Sequence, residues 1–493
     1  MSIDLDAVIS DCPTQLFING EFVDAVSGET FEVENPSDGS VLATVAKAGT
    51  EDATKALDAA CAVQQEWAAT APRERAEILR RAFELLSERG EELAYIMSAE
   101  LGRALPDSRG EVTYGAEFFR WFAEEAVRIT GDYRITPAGG GRVVTTQQPV
   151  GPVLAITPWN FPLSMGTRKM GPALASGCTM VLKPASKTPL TMLYLARVLK
   201  EAGLPDGVVN IIPGSGSAAS SLLEDSRLRK FTFTGSTEVG QSLHATAAEH
   251  SLGTSLELGG NAPFIVLEDA DLDKAVEAVK VAKMRGAGQV CIAANRFIVH
   301  EKLYDAFCER VTELMGTYTV GRGTDEGVTV GPLSGDDQVE TVSELVNDAI
   351  AQGARVLAGG SVYELEEELQ EKGSYFPPTV LADVPRSARM ATEEIFGPVV
   401  AIYKASSDQD AIDFGNDTIF GLAGYVFSEN LERALGAGEA MQVGMVAINK
   451  GAISDPSAPF GGVKQSGVGR EGGFEGINEY LETKLMALPE ARL

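Results

Sequence analysis

Three segments of the chain contain side chains that could take part in catalysis: a thiol, a carboxylate and an amide. Cys291 ends the run Gly286-Ala287-Gly288-Gln289-Val290-Cys291, whose glycines let the backbone approach a ligand. Glu257 lies among leucines at the end of a β-rich run, and burial there would raise its pKa toward that of a general base near neutral pH. Asn160 is held between Pro158 and Pro162, which suits a donor aimed at a developing oxyanion. An inert buried thiol and a turn amide are the alternative interpretations of Cys291 and Asn160.

Two further loops could bind a nucleotide. The run Lys183-Pro184-Ala185-Ser186-Lys187-Thr188 brings two lysines to the end of a β-rich run, although this run taken alone favours a solvated loop with Thr188 as a helix cap. The run from Gly235 to Ser242 nearly fits the G-x-x-x-x-G-K-S/T loop, but Gln241 replaces the lysine. Triphosphate binding is therefore not expected, whereas amides at a helix N-terminus still attract a pyrophosphate. A plain strand-to-helix turn explains this run at least as well. The run Gly214-Ser215-Gly216 lacks the third glycine of the dinucleotide fingerprint.

The elements that must position these residues alternate between strand and helix. Helical patterns separate the β-rich runs, and one of these patterns begins near Thr188 and stops at Gly203-Leu204-Pro205. Such alternation predicts an α/β domain with a parallel sheet, whose ligands lie beyond the carboxyl ends of the strands. The β-rich runs are Val153–Ile156, Thr179–Leu182, Val208–Ile212, Phe231–Thr234 and Ser255–Leu258.

The flanking segments predict further elements. A second α/β unit is expected after Gly259. The other expected elements are two helices between Glu51 and Ala99 separated at Pro72, a β-hairpin over Gly131–Val150, a helix near Asp273–Arg285, a strand near Arg296–Val299 and a short terminal strand from Asn478.

Composition narrows the class of protein. The 493 residues correspond to two or three domains, and the net charge of −29 disfavours nucleic acid and anionic lipid as partners. There is no apolar window long enough for a membrane span and no basic–apolar signal at the N-terminus, so a cytoplasmic protein is expected. Five cysteines without a C-x-x-C spacing indicate free thiols, and with three histidines no metal site is expected.

At these residues the chain resembles the aldehyde dehydrogenase superfamily, most closely its succinate-semialdehyde dehydrogenase branch. The resemblance spans nearly the whole chain and implies two doubly wound parallel-sheet α/β domains with a small β oligomerisation projection. The segments that carry it are Pro158-Trp159-Asn160-Phe161-Pro162, Leu256-Glu257-Leu258-Gly259-Gly260, Gly288-Gln289-Val290-Cys291, Glu394-Ile395-Phe396-Gly397-Pro398 and Pro459-Phe460-Gly461-Gly462.

The resemblance also implies domain boundaries. A homodimer or homotetramer is expected, since the projection would extend the sheet of a neighbouring subunit. The expected parts are a dinucleotide-binding domain at 1–130 and 151–258, a catalytic domain at 259–449, the projection at 131–150 and 478–493, and a return to the cofactor domain at 450–477.

Site roles follow from the same resemblance. Cys291 would be the nucleophile, Glu257 the general base and Asn160 the oxyanion donor. Lys183 would bind a ribose of the cofactor. The other cofactor residues implied are Thr157, Pro158, Trp159, Ala185, Lys187 and Gly214, with Gly235 and Ser236 at the pyrophosphate, Leu258 at the nicotinamide, and Glu394 and Phe396 at the nicotinamide ribose.

Ser186 bears on the choice of cofactor. Members that prefer NAD often have a glutamate three residues after the ribose-binding lysine, where its charge repels a 2′-phosphate. Ser186 occupies this position, and Lys183 and Lys187 flank it, so NADP is the expected cofactor, with NAD still possible.

The substrate is expected to be succinate semialdehyde. A distal carboxylate needs a cation, and Arg168 and Arg285 occupy the implied positions with Ser454 as a hydroxyl partner. Structural ion pairs are the alternative for both arginines. Other readings are glutarate semialdehyde or another short aldehyde as substrate, a catalytically silent member of the fold, and a coenzyme A-acylating enzyme, which Glu257 disfavours. Ala293 stands where some relatives have a second cysteine, which makes a disulfide switch at Cys291 doubtful, and Cys308 is a remote alternative partner that fits a helix core better.

Overall fold

The computed structural model describes residues 4–489 apart from 363–364, 366–368 and 370–372, so residues 1–3 and 490–493 of the expected domains lie outside the described residues. Strands β1 to β20 are, in chain order, Leu16–Ile18, Glu21–Val23, Thr30–Glu34, Val41–Ala46, Asp132–Ile135, Gly141–Pro149, Val153–Ile156, Met180–Lys183, Val209–Ile211, Lys230–Thr234, Gly253–Glu257, Ala262–Val266, Ala294–His300, Arg355–Ala358, Thr379–Ala382, Val399–Ala405, Ala423–Phe427, Met445–Ile448, Gly467–Val468 and Leu481–Pro489.

The α-helices α1 to α14 of the described residues are, in chain order, Leu5–Ser10, Thr50–Ala69, Pro72–Glu88, Gly90–Leu101, Leu105–Ala126, Ser164–Ser176, Leu190–Glu201, Gly216–Ser220, Thr237–Glu249, Leu272–Val279, Tyr304–Met315, Asp336–Ala351, Asp408–Asn416 and Leu431–Ala440.

The first sheet has the strand order β19-β11-β10-β7-β8-β9-β1-β2, and its central strands β11 to β9 are parallel. Each of the five sequence-predicted runs lies on one of these central strands, with ends displaced by at most two residues. Every residue of β7 and β10 is buried, as expected for a sheet covered by helices on both faces.

The second sheet has the order β14-β15-β16-β13-β12-β17-β18 and is parallel except for β14. Only Leu258 to Asn261 separate β11 of the first sheet from β12 of the second. The carboxyl end of the first sheet therefore meets the amino end of the second, and the segments that precede β12, β13 and β16 lie at this junction.

A separate antiparallel sheet joins β5, β6 and β20. The hairpin turn contains Gly139 with φ +80°, as the glycine run predicts. The terminal strand is longer than expected: all nine residues of β20 pair with β6. A second hairpin, β3 with β4, was not predicted.

Two sequence predictions about helices were wrong. The stretch between Glu51 and Ala99 contains three helices, because a second break follows Pro72 at Arg89, whose φ of −103° and ψ of 20° leave the helical region. The helix expected to reach Arg285 ends at Val279 and continues as a π turn over Lys280–Met284 and a 3-10 turn over Arg285–Gly288. Among the described residues, no helix is both long and apolar enough to cross a membrane.

Candidate active site

Glu257 is the last residue of β11, and its side chain is buried with 2% exposed. Its Oε2 has no hydrogen-bond partner in the described structure, and its Oε1 lies 2.9 Å from where a Cβ on Gly461 would stand. Burial raises the pKa of Glu257 well above its usual value, and the Glu471 carboxylate raises it further, whereas Arg168 and Lys169 lower it less. This carboxyl therefore has the free oxygen and the raised pKa of a general base.

A charged cluster lies beside Glu257, and sequence reasoning missed its central member. Glu471 accepts from Arg168 Nε at 2.6 Å and from Lys169 Nζ, and all three side chains are buried. Burial alone would raise the pKa of Glu471, but the two cations outweigh burial and lower it. Arg168 also lies over the Phe460 ring at 4.0 Å. These contacts favour the ion-pair alternative for Arg168 over binding of a substrate carboxylate.

Cys291 lies half-buried just before β13. Its carbonyl oxygen is 2.5 Å from where a Cβ on Gly260 would stand, so the junction after β11 needs a glycine there. Burial raises the pKa of Cys291 to about 12, opposed by Arg168 and Arg285 and reinforced by Glu394 and Glu257. The resting side chain is thus a neutral thiol, and a nearby base must take its proton before it can act as a nucleophile.

Asn160 is tied to the same loop. Its Nδ2 donates to the Gln289 carbonyl at 3.0 Å, which leaves the second amide hydrogen without an acceptor in the described structure. Arg103 donates to the Asn160 carbonyl and pairs with buried Glu111, whose Oε1 accepts from the backbone N–H of Leu163 at 3.0 Å. The structure therefore brings Asn160, Glu257 and Cys291 to one junction. Their catalytic roles remain predictions.

The two lysines beside Ser186 differ. Lys183 ends β8, makes no hydrogen bond or ion pair within the described residues, and has its pKa lowered by burial. Lys187 instead donates to Asp337 Oδ1 at 2.9 Å and Oδ2 at 3.1 Å. Ser186 is exposed, and its Oγ donates to the Gly214 carbonyl at 3.2 Å. Of these two lysines, Lys187 is paired with an acid, and Lys183 is the one whose amine could bind a ligand.

Apart from Glu394 and Phe396, the remaining residues predicted to bind the cofactor lie along the carboxyl edge of the first sheet. Gly214 is packed against Ala48, whose carbonyl lies 2.7 Å from a Cβ position. The Gly235 N–H donates to the Glu257 carbonyl at 3.1 Å. Around them lie Thr157, whose buried Oγ1 has no hydrogen-bond partner in the described part of the chain, half-buried Pro158 and Ala185, and buried Leu258. Exposed Ser236 precedes α9 with a hydroxyl that does not cap it.

The second sheet contributes Glu394 and Phe396 from the segment before β16. Glu394 is half-buried, and its Oε1 accepts from the Gly260 N–H at 3.4 Å. Burial raises the pKa of Glu394 to about 8, while this hydrogen bond and Lys283 act in the opposite direction. Phe396 has a φ of +52° and meets the Trp159 ring edge-on, with the ring centroids 5.5 Å apart.

Arg285 and Ser454 have fewer contacts than Arg168. Arg285 lies over the Phe161 ring at 5.3 Å, its Nε has no hydrogen-bond partner, and it forms no ion pair with any described residue. Ser454 is half-buried in the loop after β18 and makes no hydrogen bond with the described part of the chain. The structure shows no contact that joins Ser454 to either arginine. All five cysteines are free thiols.

Comparison with known proteins shows the family. The chain matches the aldehyde dehydrogenase family over residues 22–486, and it belongs to that family. It is 51% identical to a succinate-semialdehyde dehydrogenase of Paenarthrobacter nicotinovorans, over 91% of this chain and 99% of that protein. It is 46% identical to a glutarate-semialdehyde dehydrogenase of Pseudomonas putida, over 96% of this chain and 97% of that protein.

A solved structure gives the same result. The crystal structure of an NADP-dependent enzyme of Escherichia coli superposes with a TM-score of 0.95 at 46% identity, covering 97% of this chain and 98% of that one. The predicted aldehyde dehydrogenase fold is therefore confirmed.

Proposed function

We propose that this protein oxidises succinate semialdehyde to succinate, with NADP as the preferred hydride acceptor and Cys291 as the nucleophile. The observation that carries the proposal is the convergence of Cys291 with Glu257 and Asn160 where the two sheets meet. The relatives that act on semialdehydes support this substrate class.

The chemistry of the chain's own groups follows from their surroundings. Once its proton is removed, the Cys291 thiolate adds to the aldehyde carbon, and the oxyanion that forms accepts from the free Asn160 amide hydrogen and the Cys291 N–H. Bound NADP supplies the acceptor for the hydride that leaves this carbon. A thioester on Cys291 results. Glu257 then takes a proton from water, the hydroxide attacks the thioester, and the Cys291 thiolate leaves as the carboxylate product forms.

The residues along the first sheet suit a dinucleotide. Lys183, at the carboxyl end of β8, has no acid partner among the residues that the structure describes. Ser236 has a hydroxyl that makes no capping hydrogen bond, beside the N–H groups that open the 13-residue helix α9, a favourable setting for a pyrophosphate. Ser186 is small and uncharged, so nothing at that position repels a 2′-phosphate, and Lys183 supplies the positive charge. The ion pair with Asp337 reduces the expected contribution of Lys187.

Arg285 is the better candidate for the distal carboxylate. Its guanidinium has no acid partner among the described residues and affects the pKa of the Cys291 thiol, whereas the Arg168 guanidinium is bonded to Glu471. An arginine can bind a carboxylate through two parallel hydrogen bonds. Glutarate semialdehyde, one methylene longer, is the second candidate, and the Pseudomonas putida relative favours it.

Formation of reduced nicotinamide tests the proposal. The purified protein is assayed with succinate semialdehyde, glutarate semialdehyde and an uncharged aldehyde of similar length, each with NADP and NAD. The highest kcat/KM is expected for succinate semialdehyde with NADP, and Arg285→Met should raise KM for both semialdehydes but not for the uncharged aldehyde. A preference for the uncharged aldehyde would overturn the substrate, and a preference for NAD would overturn the cofactor alone.

We also propose that the domains follow the sheets and that copies of the chain associate through the third sheet. Tyr133, Ile135 and Leu485 of this sheet are 62%, 57% and 62% exposed, an apolar surface that a neighbouring subunit would cover. Light scattering after gel filtration should give a dimer or tetramer, and Ile135→Lys with Leu485→Lys should shift it toward monomer. A monomeric wild type would contradict this assembly.

A further inference from the structure

Arg103 is a buried arginine in the short link between helices α4 and α5, and 4% of it is exposed. The backbone of this link is held on both sides of Arg103. Gly102, which ends α4, has a φ of +77° that favours glycine. The backbone N–H of Leu105, which opens α5, donates to the Gly323 carbonyl at 2.8 Å. The guanidinium of Arg103 therefore extends from a fixed piece of backbone.

The Arg103 guanidinium holds the segment that follows strand β7. Its Nη2 donates to the Asn160 carbonyl, and its Nη1 is paired with the buried carboxylate of Glu111. The other oxygen of Glu111 accepts from the backbone N–H groups of Leu163 and Ser164, both at 3.0 Å. Hydrogen bonds of charged groups are roughly twice as strong as those between neutral groups. The ion pair thus binds the backbone firmly at both ends of this segment.

The same arginine lies against the loop that carries Cys291. A Cβ on Gly286, at the start of that loop, would stand 3.6 Å from Arg103 Nε. The Gly286 N–H donates to Asp107 Oδ2, in the first turn of α5, at 2.7 Å. The Asn160 side chain donates into the middle of the same loop. Arg103 and Asp107 therefore contact both segments from which the two proposed oxyanion donors come.

The contacts of Arg103 indicate that it acts through Asn160 and not on the substrate itself. Its charge is paired with Glu111, its Nη2 is bonded to the Asn160 backbone, and its guanidinium carbon lies over the Phe161 ring at 4.3 Å. The Asn160 side chain, by contrast, has one amide hydrogen without an acceptor in the described structure. Because this side chain starts from the residue that Arg103 holds, the position of Arg103 sets the direction of that hydrogen.

We propose that Arg103 is a positioning residue for the oxyanion: its bond to the Asn160 carbonyl directs the free amide hydrogen of Asn160 and the Cys291 N–H to the same oxygen of the aldehyde. No bond is made or broken at Arg103 itself. Donors stabilise developing charge best when they are in place before the reaction, and a misplacement of about 1 Å can lower a rate about a hundredfold. The inference rests on the proposed roles of Asn160 and Cys291.

Single-turnover kinetics test this proposal, with enzyme in excess over succinate semialdehyde and with saturating NADP. The rate constant for formation of reduced nicotinamide reports the steps that pass through the oxyanion. Arg103→Met alone would leave a buried carboxylate unpaired, so it is combined with Glu111→Gln, whose amide oxygen can still accept from the Leu163 and Ser164 N–H groups. Relative to Glu111→Gln alone, the double variant should react about a hundredfold more slowly. Its affinity for NADP, measured by calorimetric titration, should be unchanged.

Three further variants distinguish positioning of Asn160 from a general structural role. Asn160→Ala should slow the same step by about a hundred- to a thousandfold, and removing Arg103 as well should slow it little further, since no amide remains to be positioned. Arg103→Lys should recover part of the rate, because an ammonium can donate to the Asn160 carbonyl but lacks the fork that also binds Glu111. Arg109→Met removes an exposed arginine of α5, bonded to Glu91, and should leave the rate unchanged.

Failure of this inference differs from failure of the proposed function. If the loss caused by removing Arg103 is just as large in the Asn160→Ala background, or if NADP affinity falls with the rate, Arg103 does not act through Asn160 and the proposal is wrong. If Asn160→Ala reacts at the wild-type rate, the donor role of Asn160 is wrong and the role of Arg103 with it. If the wild type oxidises neither semialdehyde, the proposed substrate is wrong, and the same rate constants are measured with the aldehyde that it oxidises fastest. Melting temperatures of all variants identify any change that merely reflects loss of the fold.

Discussion

The two sheets present opposite ends to the proposed active site. From the first sheet, Lys183 and Glu257 end strands, and Asn160 and Ser236 follow strands. From the second sheet, Cys291 and Glu394 precede strands β13 and β16. Parallel sheets normally bind ligands at their carboxyl ends, so the first sheet follows the general rule and the second does not.

The strand ends of the first sheet (the first edge) and the segments that precede the strands of the second sheet (the second edge) are held in place in different ways. At the first sheet, strand ends and helix N-termini place the residues directly. At the second, the loop before Cys291 contains Gly286 and Ala287 at φ values of 59° and 55°, and the Asn295 amide clamps the segment of Glu394. Irregular backbone of this kind is stable only where its surroundings fix it. We therefore expect the first edge to depend on charge and the second on local geometry.

The largest effect is expected at the second edge, on the thiol itself. Cys291→Ala should lower kcat by about ten-thousandfold or more, because loss of a nucleophile removes the covalent path. Steady-state formation of reduced nicotinamide measures it. Cys308→Ala, at a buried thiol in α11, is the matched control and should retain activity. Activity of Cys291→Ala within tenfold of wild type would contradict the role of Cys291 as the nucleophile.

Glu257→Gln tests the first edge and should lower steady-state kcat about a thousandfold, since an amide cannot accept a proton from water. Thioester formation should survive, so rapid mixing should show a burst of reduced nicotinamide near one equivalent per site before the slow phase. If the burst is also lost, Glu257 acts earlier, on the thiol of Cys291. An unchanged kcat would contradict its role as base.

The first edge could be predicted from the sequence more fully than the second. The apolar runs near Lys183 and Glu257 predict buried parallel strands. The residues at the carboxyl ends of such strands are therefore candidates for ligand binding and catalysis. Cys291 was a candidate from its glycine-rich run, but its role and those of Glu394 and Phe396 were assigned by resemblance, since nothing in a local pattern shows that the amino end of one sheet faces the carboxyl end of another. That arrangement depends on the short crossing from Leu258 to Asn261.

Long-range charge pairs were beyond the reach of the sequence. Glu471 is paired with Arg168 and Lys169 across hundreds of residues, and Asp337 reaches Lys187 from α12. The resemblance implied the substrate role of Arg168, and the position of Lys187 after a β-rich run favoured its cofactor role. The acid partner of each lies more than a hundred residues away in the chain. Lys283 resembled any lysine of an amphipathic helix, and the π turn that buries it has no sequence signal.

Ser186→Glu tests the preference for NADP over NAD at the first edge. A carboxylate beside the expected site of the 2′-phosphate should lower kcat/KM for NADP about a hundredfold, because juxtaposed like charges cost several kcal/mol. The value for NAD should change far less, and the ratio of the two measures the effect. Ser186→Ala removes only the hydrogen bond to Gly214 and is the control. An equal loss with both cofactors would place Ser186 away from the 2′-phosphate.

The smallest effect on rate is expected from Glu471→Gln, and it tests whether charge governs the first edge. As the proposed base, Glu257 would act only when ionised, so activity should rise with pH through its pKa. The carboxylate of Glu471 raises that pKa, and Arg168 and Lys169 are bonded to Glu471. Without the acid, both cations act on Glu257 unopposed, its pKa falls, and the acidic limb of the kcat profile should move to lower pH. A shift of one unit would give about tenfold more activity on that limb.

Glu471→Gln should lower the stability of the fold, although it should raise activity at acidic pH. Glu471→Gln leaves two buried cations without their carboxylate, which costs about 3–5 kcal/mol of the free energy of unfolding. Glu479→Gln is the matched control, because Glu479 pairs with buried Lys230 on the same sheet and is not among the groups that shift the pKa of Glu257. It should destabilise the protein without moving the acidic limb. If both variants lose stability and neither moves the acidic limb of the kcat profile, the charge cluster stabilises the first sheet but does not set the pKa of Glu257. Charge would then not distinguish the first edge from the second.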